Sequence, residues 1–63
     1  MYTRTQKIKA EMAHHGHNQQ QLATLLNIHI ASLNRKLKGK SDFKANEILK
    51  LAEIYHKPSD YFL

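Results

Sequence analysis

Apolar residues recur along this chain at the spacing of helices. Ile8, Met12 and His15 fall at i, i+4 and i+7, with Thr5 one turn earlier, which predicts a helix from about Thr3 to His15. Gly16 stands just past its end, where a left-handed residue is wanted. Asn18 and Gln21 form a capping-box pair that opens a second helix. Leu22, Ala23 and Leu26 make its inward face, and Leu25 points off that stripe. Asn27 ends it, because asparagine tolerates the left-handed conformation.

Ile28 follows as a core residue of a tight turn. A third helix is predicted from about Ile30 to Lys38, with Leu33 and Leu37 inward and Gly39 just beyond. "KSDFK" reads as a loop whose Phe43 plugs the core. The fourth helix, about Ala45 to His56, would bury Ile48, Leu51, Ala52 and Tyr55, with Leu49 and Ile54 beside that stripe. Pro58 presets φ for a short fifth helix, with Phe62 and Leu63 folding back on the core. The expectation is an all-α domain of five helices over residues 1–63.

Charge adds a second layer to this pattern. The formal net charge is +5 and the pI about 9.8. Five of the ten lysines and arginines lie in residues 35–44: Arg35, Lys36, Lys38, Lys40 and Lys44, against one acid, Asp42. Such a balance favours polyanionic partners, either nucleic acid or an anionic membrane surface. No apolar run approaches the roughly 20 residues of a membrane span. With no cysteine there is neither a disulfide nor a thiolate metal site. "MYTRTQKIKAEM" lacks an apolar signal-peptide core, and a cytoplasmic location is expected.

Other chemistry finds little support. "HHGH" invites zinc, but adjacent helical residues point apart and no carboxylate arrangement completes a tetrahedral site. His56, Ser59 and Asp60 are close in sequence, yet read as a helix end and the start of the next element. Neither an enzyme nor a bound metal or cofactor is expected.

The unit "NQQQLATLLNIHIASLNRKLKG" places two helices across a three-residue turn, as helix-turn-helix proteins do. The second of the two can then enter a major groove about 12 Å wide. From Ile8 to Leu63 the chain resembles the phage-repressor and Cro-like helix-turn-helix domains, the XRE-type transcriptional regulators. The likeness rests on "GHNQQQLA", "LLNI", "SLNRKLKGK" and "ILKLAEIY…PSDYFL" taken in order.

That resemblance implies a five-helix lambda-repressor-like fold and a double-stranded DNA operator as partner. By position, His29, Ile30, Ala31, Ser32, Asn34 and Arg35 would face the bases. Gln19, Lys38, Lys40 and Lys44 would hold phosphates, Gln19 also bracing the third helix. Arg35 has the donor fork for guanine, and a phosphate contact or surface ion pair is its other reading.

The chain departs from the family pattern in places. His29 replaces a hydroxyl cap and is a poorer one, and Lys44 replaces another. Ile30 is apolar at a base-reading position, where it could meet a thymine methyl. Met12 and Leu37 stand where relatives often carry an ion pair, so an apolar contact between them is expected. A monomer or weak homodimer, formed mainly on DNA, is anticipated. The alternative is a protein-binding antirepressor that captures a repressor protein, suggested by Leu25 and Ile30.

Overall fold

The computed structural model describes residues 3–63. It contains α1 (Arg4–His15), α2 (Gln19–Leu26), α3 (Ile30–Leu37) and α4 (Ala45–Ile54), and no strand among the described residues. The chain is all-α, as the periodicity requires.

Each start has a local cause. Thr3 Oγ1 accepts from the Gln6 N–H (3.2 Å) and Gln6 Oε1 accepts from the Thr3 N–H (2.9 Å). Asn18 and Gln21 repeat that exchange at α2, both bonds 2.8 Å. Two donors that a helix start leaves orphaned are thus satisfied each time.

The four ends share one closure. Gly16, Asn27, Gly39 and His56 all adopt positive φ (69°, 58°, 80° and 54°). In each case the next residue's N–H reaches back five positions: His17 to Met12, Ile28 to Ala23, Lys40 to Arg35, Lys57 to Ala52, at 2.8–3.0 Å. This is the Schellman arrangement. It also explains why α4 stops at Ile54 rather than His56: a left-handed residue cannot continue a right-handed helix.

The core is continuous. Ile8 and Met12 of α1, Leu22, Ala23 and Leu26 of α2, Leu33 and Leu37 of α3, and Ile48, Leu51 and Ala52 of α4 are buried together. Phe43, Tyr55 and Phe62 complete it from the connections, with Ile28, Ile54 and Tyr61 packed against its edge. Met12 and Leu37 are both members, so neither side chain stands in solvent.

The C-terminal segment differs from expectation. Instead of a fifth α-helix, residues 59–62 form turns, with Tyr61 N–H to Pro58 O (3.0 Å) and Leu63 N–H to Asp60 O (3.1 Å). A piece this short does not repay helix nucleation. Its carbonyls bond to α1 instead: Arg4 Nε donates to Phe62 O (2.7 Å) and Lys7 Nζ to Tyr61 O (3.1 Å). Lys7 and Lys57 both lie over the Tyr61 ring, 5.2 and 5.0 Å from its centre. Phe62 is fully buried, whereas Leu63 is 73% exposed and does not fold back.

Two substitutions test this account by urea denaturation. Leu37→Ala should cost about 2–4 kcal/mol, as a large-to-small change in a closed core. His56→Gly should gain roughly 0.5 kcal/mol, because glycine takes the left-handed conformation without the Cβ penalty. An unchanged Leu37→Ala midpoint, or a destabilised His56→Gly, would contradict it.

Candidate nucleic-acid interface

The turn between α2 and α3 is built from three residues with separate tasks. Asn27 supplies the left-handed reversal, Ile28 is half-buried against the core, and His29 is extended (φ −70°, ψ 144°). His29 Nδ1 accepts from the Ala31 N–H at 3.1 Å. Histidine therefore caps α3, its ring nitrogen accepting where a hydroxyl oxygen does in the family pattern.

Leu33 and Leu37 turn inward, so the opposite side of α3 faces solvent. Ala31, Ser32 and Arg35 are exposed there, while His29 and Ile30 are exposed at the start of the helix, Ile30 on the same stripe as the two leucines. Asn34 is half-buried because its Nδ2 donates to Gln19 Oε1 at 3.1 Å. Gln19, at the head of α2, thus braces α3 directly. Its own amide nitrogen is left over as a donor.

Lys38, Lys40 and Lys44 are exposed and follow α3 in the chain. Among the described residues, no acid pairs with them or with Arg35. All ten positions marked by the sequence thus lie on α3, on its flanking turn and loop, or at the head of α2. Ser32 and Arg35 also line a shallow depression of about 270 Å³, closed by Lys36 and by Ser41, which sequence reasoning passed over.

Lys36 departs from the basic cluster. It turns inward, and its Nζ donates to both Glu47 carboxylate oxygens (2.6 and 2.7 Å). The two side chains are only 10% and 7% exposed, and Nζ lies 5.8 Å from the centre of the Phe43 ring. Glu47 Oε1 also accepts from the Lys44 N–H (2.8 Å) at the start of α4. One carboxylate therefore ties α3, the loop end and α4 together. Lysine offers no acceptor for a cap, and Glu47 compensates from within the helix. Burial pushes the Glu47 carboxyl up, but the Lys36 bond, the Lys44 N–H and both lysine charges outweigh it, leaving the group below its ordinary 4.5. The sequence did hold a signal for Glu47, since an acid at the third position of a helix is a capping residue.

The histidine run serves packing. The His17 ring and the Tyr55 hydroxyl share a hydrogen bond of 3.0 Å, and His15 Nε2 lies 3.5 Å from Glu11. Burial first, and the Glu11 carboxylate second, push the Tyr55 hydroxyl up to about 12. Among the described residues, no group of three His, Cys, Asp or Glu side chains could hold a metal ion. His56, Ser59 and Asp60 are all exposed. Among the described residues, no helix is long and apolar enough to cross a membrane.

Compared with known families, residues 3–63 match the model described as the BetR domain. No curated protein and no solved structure matches the chain.

The Lys36–Glu47 pair has measurable consequences. Lys36→Met leaves a buried carboxylate without its counter-ion and should cost about 3 kcal/mol, the low end for such breakage, since the Lys44 N–H remains. Because the folded carboxyl is more acidic than its unfolded form, its contribution is present above about pH 4.5 and is lost as pH falls through the lower folded value. Thermal melts of Glu47→Gln should be less stable at neutral pH and lose less on acidification. Parallel pH profiles for variant and parent would refute this.

Proposed function

The chain belongs to the BetR domain family, and on that footing we propose that it is a sequence-specific, double-stranded-DNA-binding transcriptional regulator of the Cro/repressor kind. In this reading α2 and α3 are the helix-turn-helix of a lambda-repressor-like domain, with the turns at residues 59–62 in place of a fifth helix. The observation that carries it is the exposed face of α3. It is held to the core by Leu33 and Leu37 and braced by Gln19, and Arg35, Lys38, Lys40 and Lys44 on and after it form no side-chain ion pair among the described residues.

The physical division of labour follows from charge. Lys38, Lys40 and Lys44 would neutralise phosphates on either side of the groove and release counterions. Ile30, Ser32, Asn34 and Arg35 would meet base edges, Arg35 through its two-pronged donor fork. The free amide nitrogen of Gln19 would donate to a phosphate, which carries position but no sequence. A weak dimer, formed mainly on DNA, would read two half-sites about 34 Å apart.

Capture of a repressor protein is the second reading, favoured by the exposure of Leu25 (42%) and Ile30 (37%). The depression that Leu25 lines, of about 360 Å³, is completed by His17, Gln20, Gln21 and Thr24 and does not take in Ile30. That separation weakens the case for one apolar docking groove.

Fluorescence anisotropy on a selected duplex and on random duplex, across a salt series, tests the proposal. Lys38→Ala or Lys40→Ala should weaken both duplexes alike and flatten the slope of log K against log salt by about 0.9. Arg35→Ala should cost about 1–3 kcal/mol on the selected duplex and much less on random DNA. Absence of salt-dependent binding by the parent at low ionic strength would sink the DNA reading and leave protein capture in its place.

A further inference from the structure

Lys36 counts among the five cations of residues 35–44, yet its charge is spent inside the fold. Its Nζ donates to both Glu47 oxygens at 2.6 and 2.7 Å, and the two side chains are only 10% and 7% exposed. An ammonium and a carboxylate this close present no net charge to a molecule outside. To first order the pair neither attracts nor repels a polyanion. What it contributes to binding one is therefore geometric.

The geometry in question is that of the loop from Lys38 to Lys44. The end of α3 fixes where it starts: the Gly39 N–H bonds to Lys36 O (3.1 Å) and the Lys40 N–H to Arg35 O (3.0 Å). Phe43 anchors it in the core, with Lys36 Nζ 5.8 Å from the ring centre. Glu47 fixes where it stops, since its Oε1 accepts from the Lys44 N–H at 2.8 Å. A lysine at that position brings no acceptor of its own to the helix start. The carboxylate that holds the Lys44 backbone also holds α3 through Lys36, so the two ends of the loop are set relative to each other. Among the described residues the side chains of Lys38, Lys40 and Lys44 form no ion pair. Their placement rests on the backbone that carries them.

Resting on the DNA reading, we propose that Lys36 and Glu47 are positioning residues for duplex binding: together they fix the spacing at which Lys38, Lys40 and Lys44 meet phosphates, without touching the duplex themselves. An acid within a basic segment then favours the binding of an anion. Charge counting alone predicts the opposite, because loss of Glu47 adds a positive charge and releases a lysine.

Two variants that leave the net charge at +5 separate these accounts, by fluorescence anisotropy on selected and random duplex across a salt series. In Lys36→Met/Glu47→Leu a buried ion pair gives way to apolar side chains of similar volume, an exchange that is often neutral for stability. It should bind both duplexes about tenfold more weakly, the scale of one charge-assisted contact. It should also flatten the slope of log K against log salt by about 0.9 for each lysine displaced. Lower stability alone would leave that slope as it is. Glu47→Asp keeps the carboxylate but is one methylene short of bridging Lys36 and the Lys44 N–H, and should show both effects in smaller measure. Parent affinity and slope in the double variant, folded by circular dichroism, overturn the proposal; should that variant not fold, Glu47→Asp decides by the same measure. A loss confined to the selected duplex assigns the effect to the base-facing side of α3 and overturns it as well. A parent without salt-dependent binding ends the DNA reading and the positioning role with it, whereas a parent and variants that bind alike end this proposal alone.

Discussion

The eight-residue α3 is far shorter than a helix that could persist alone in water. It exists because Leu33 and Leu37 insert into the core, and everything proposed for its outer face depends on that insertion. A helix held on one side by two leucines, at one end by an imidazole and on its flank by a glutamine amide has little freedom to rotate. Its exposed side chains consequently keep a fixed spacing relative to the cations that follow. Rigidity here comes from several modest contacts acting on a short element.

Glu47 performs the matching task for the loop. Desolvating an ammonium and a carboxylate is expensive, and a buried ion pair is weak evidence of stability. Its value lies in geometry. By accepting from Lys36 and from the Lys44 N–H, one carboxylate fixes how the segment carrying Lys38, Lys40 and Lys44 leaves α3 and enters α4. The charge removed from the surface at Lys36 is the cost of placing the three that remain.

Much of this was legible from residue order. The core from Ile8 to Phe62 follows from helical spacing, because burial and period 3.6 are the same constraint seen twice. The turn at Asn27–His29 and the exposed face of α3 follow as well. Other features needed coordinates. Lys36 and Lys38 are adjacent members of one basic run, and only the position of Glu47, eleven residues from Lys36, tells which one turns inward. His56 looked like the last residue of a helix because nothing in its side chain announces a left-handed backbone. The missing fifth helix reflects length: the segment closes only three-residue turns, and the Tyr61 and Phe62 carbonyls, which a helix there would leave free, are taken by Lys7 and Arg4. The His29 cap also needed coordinates, since residue order does not show that its ring nitrogen reaches the Ala31 N–H.

The clasp between Arg4 and the Phe62 carbonyl joins positions 58 apart in sequence. Lys7 and the Tyr61 carbonyl span nearly as much, whereas the ties described for α2 and α3 close much shorter loops. The entropy of closure rises with the logarithm of loop length, so this contact is the most expensive to establish and the last to be rewarded during folding. The order of assembly follows: α2, α3 and their turn can organise from local contacts, and the terminal turns seal the bundle afterwards. In reverse, releasing residues 59–62 gives up the burial of Phe62 together with the clasp.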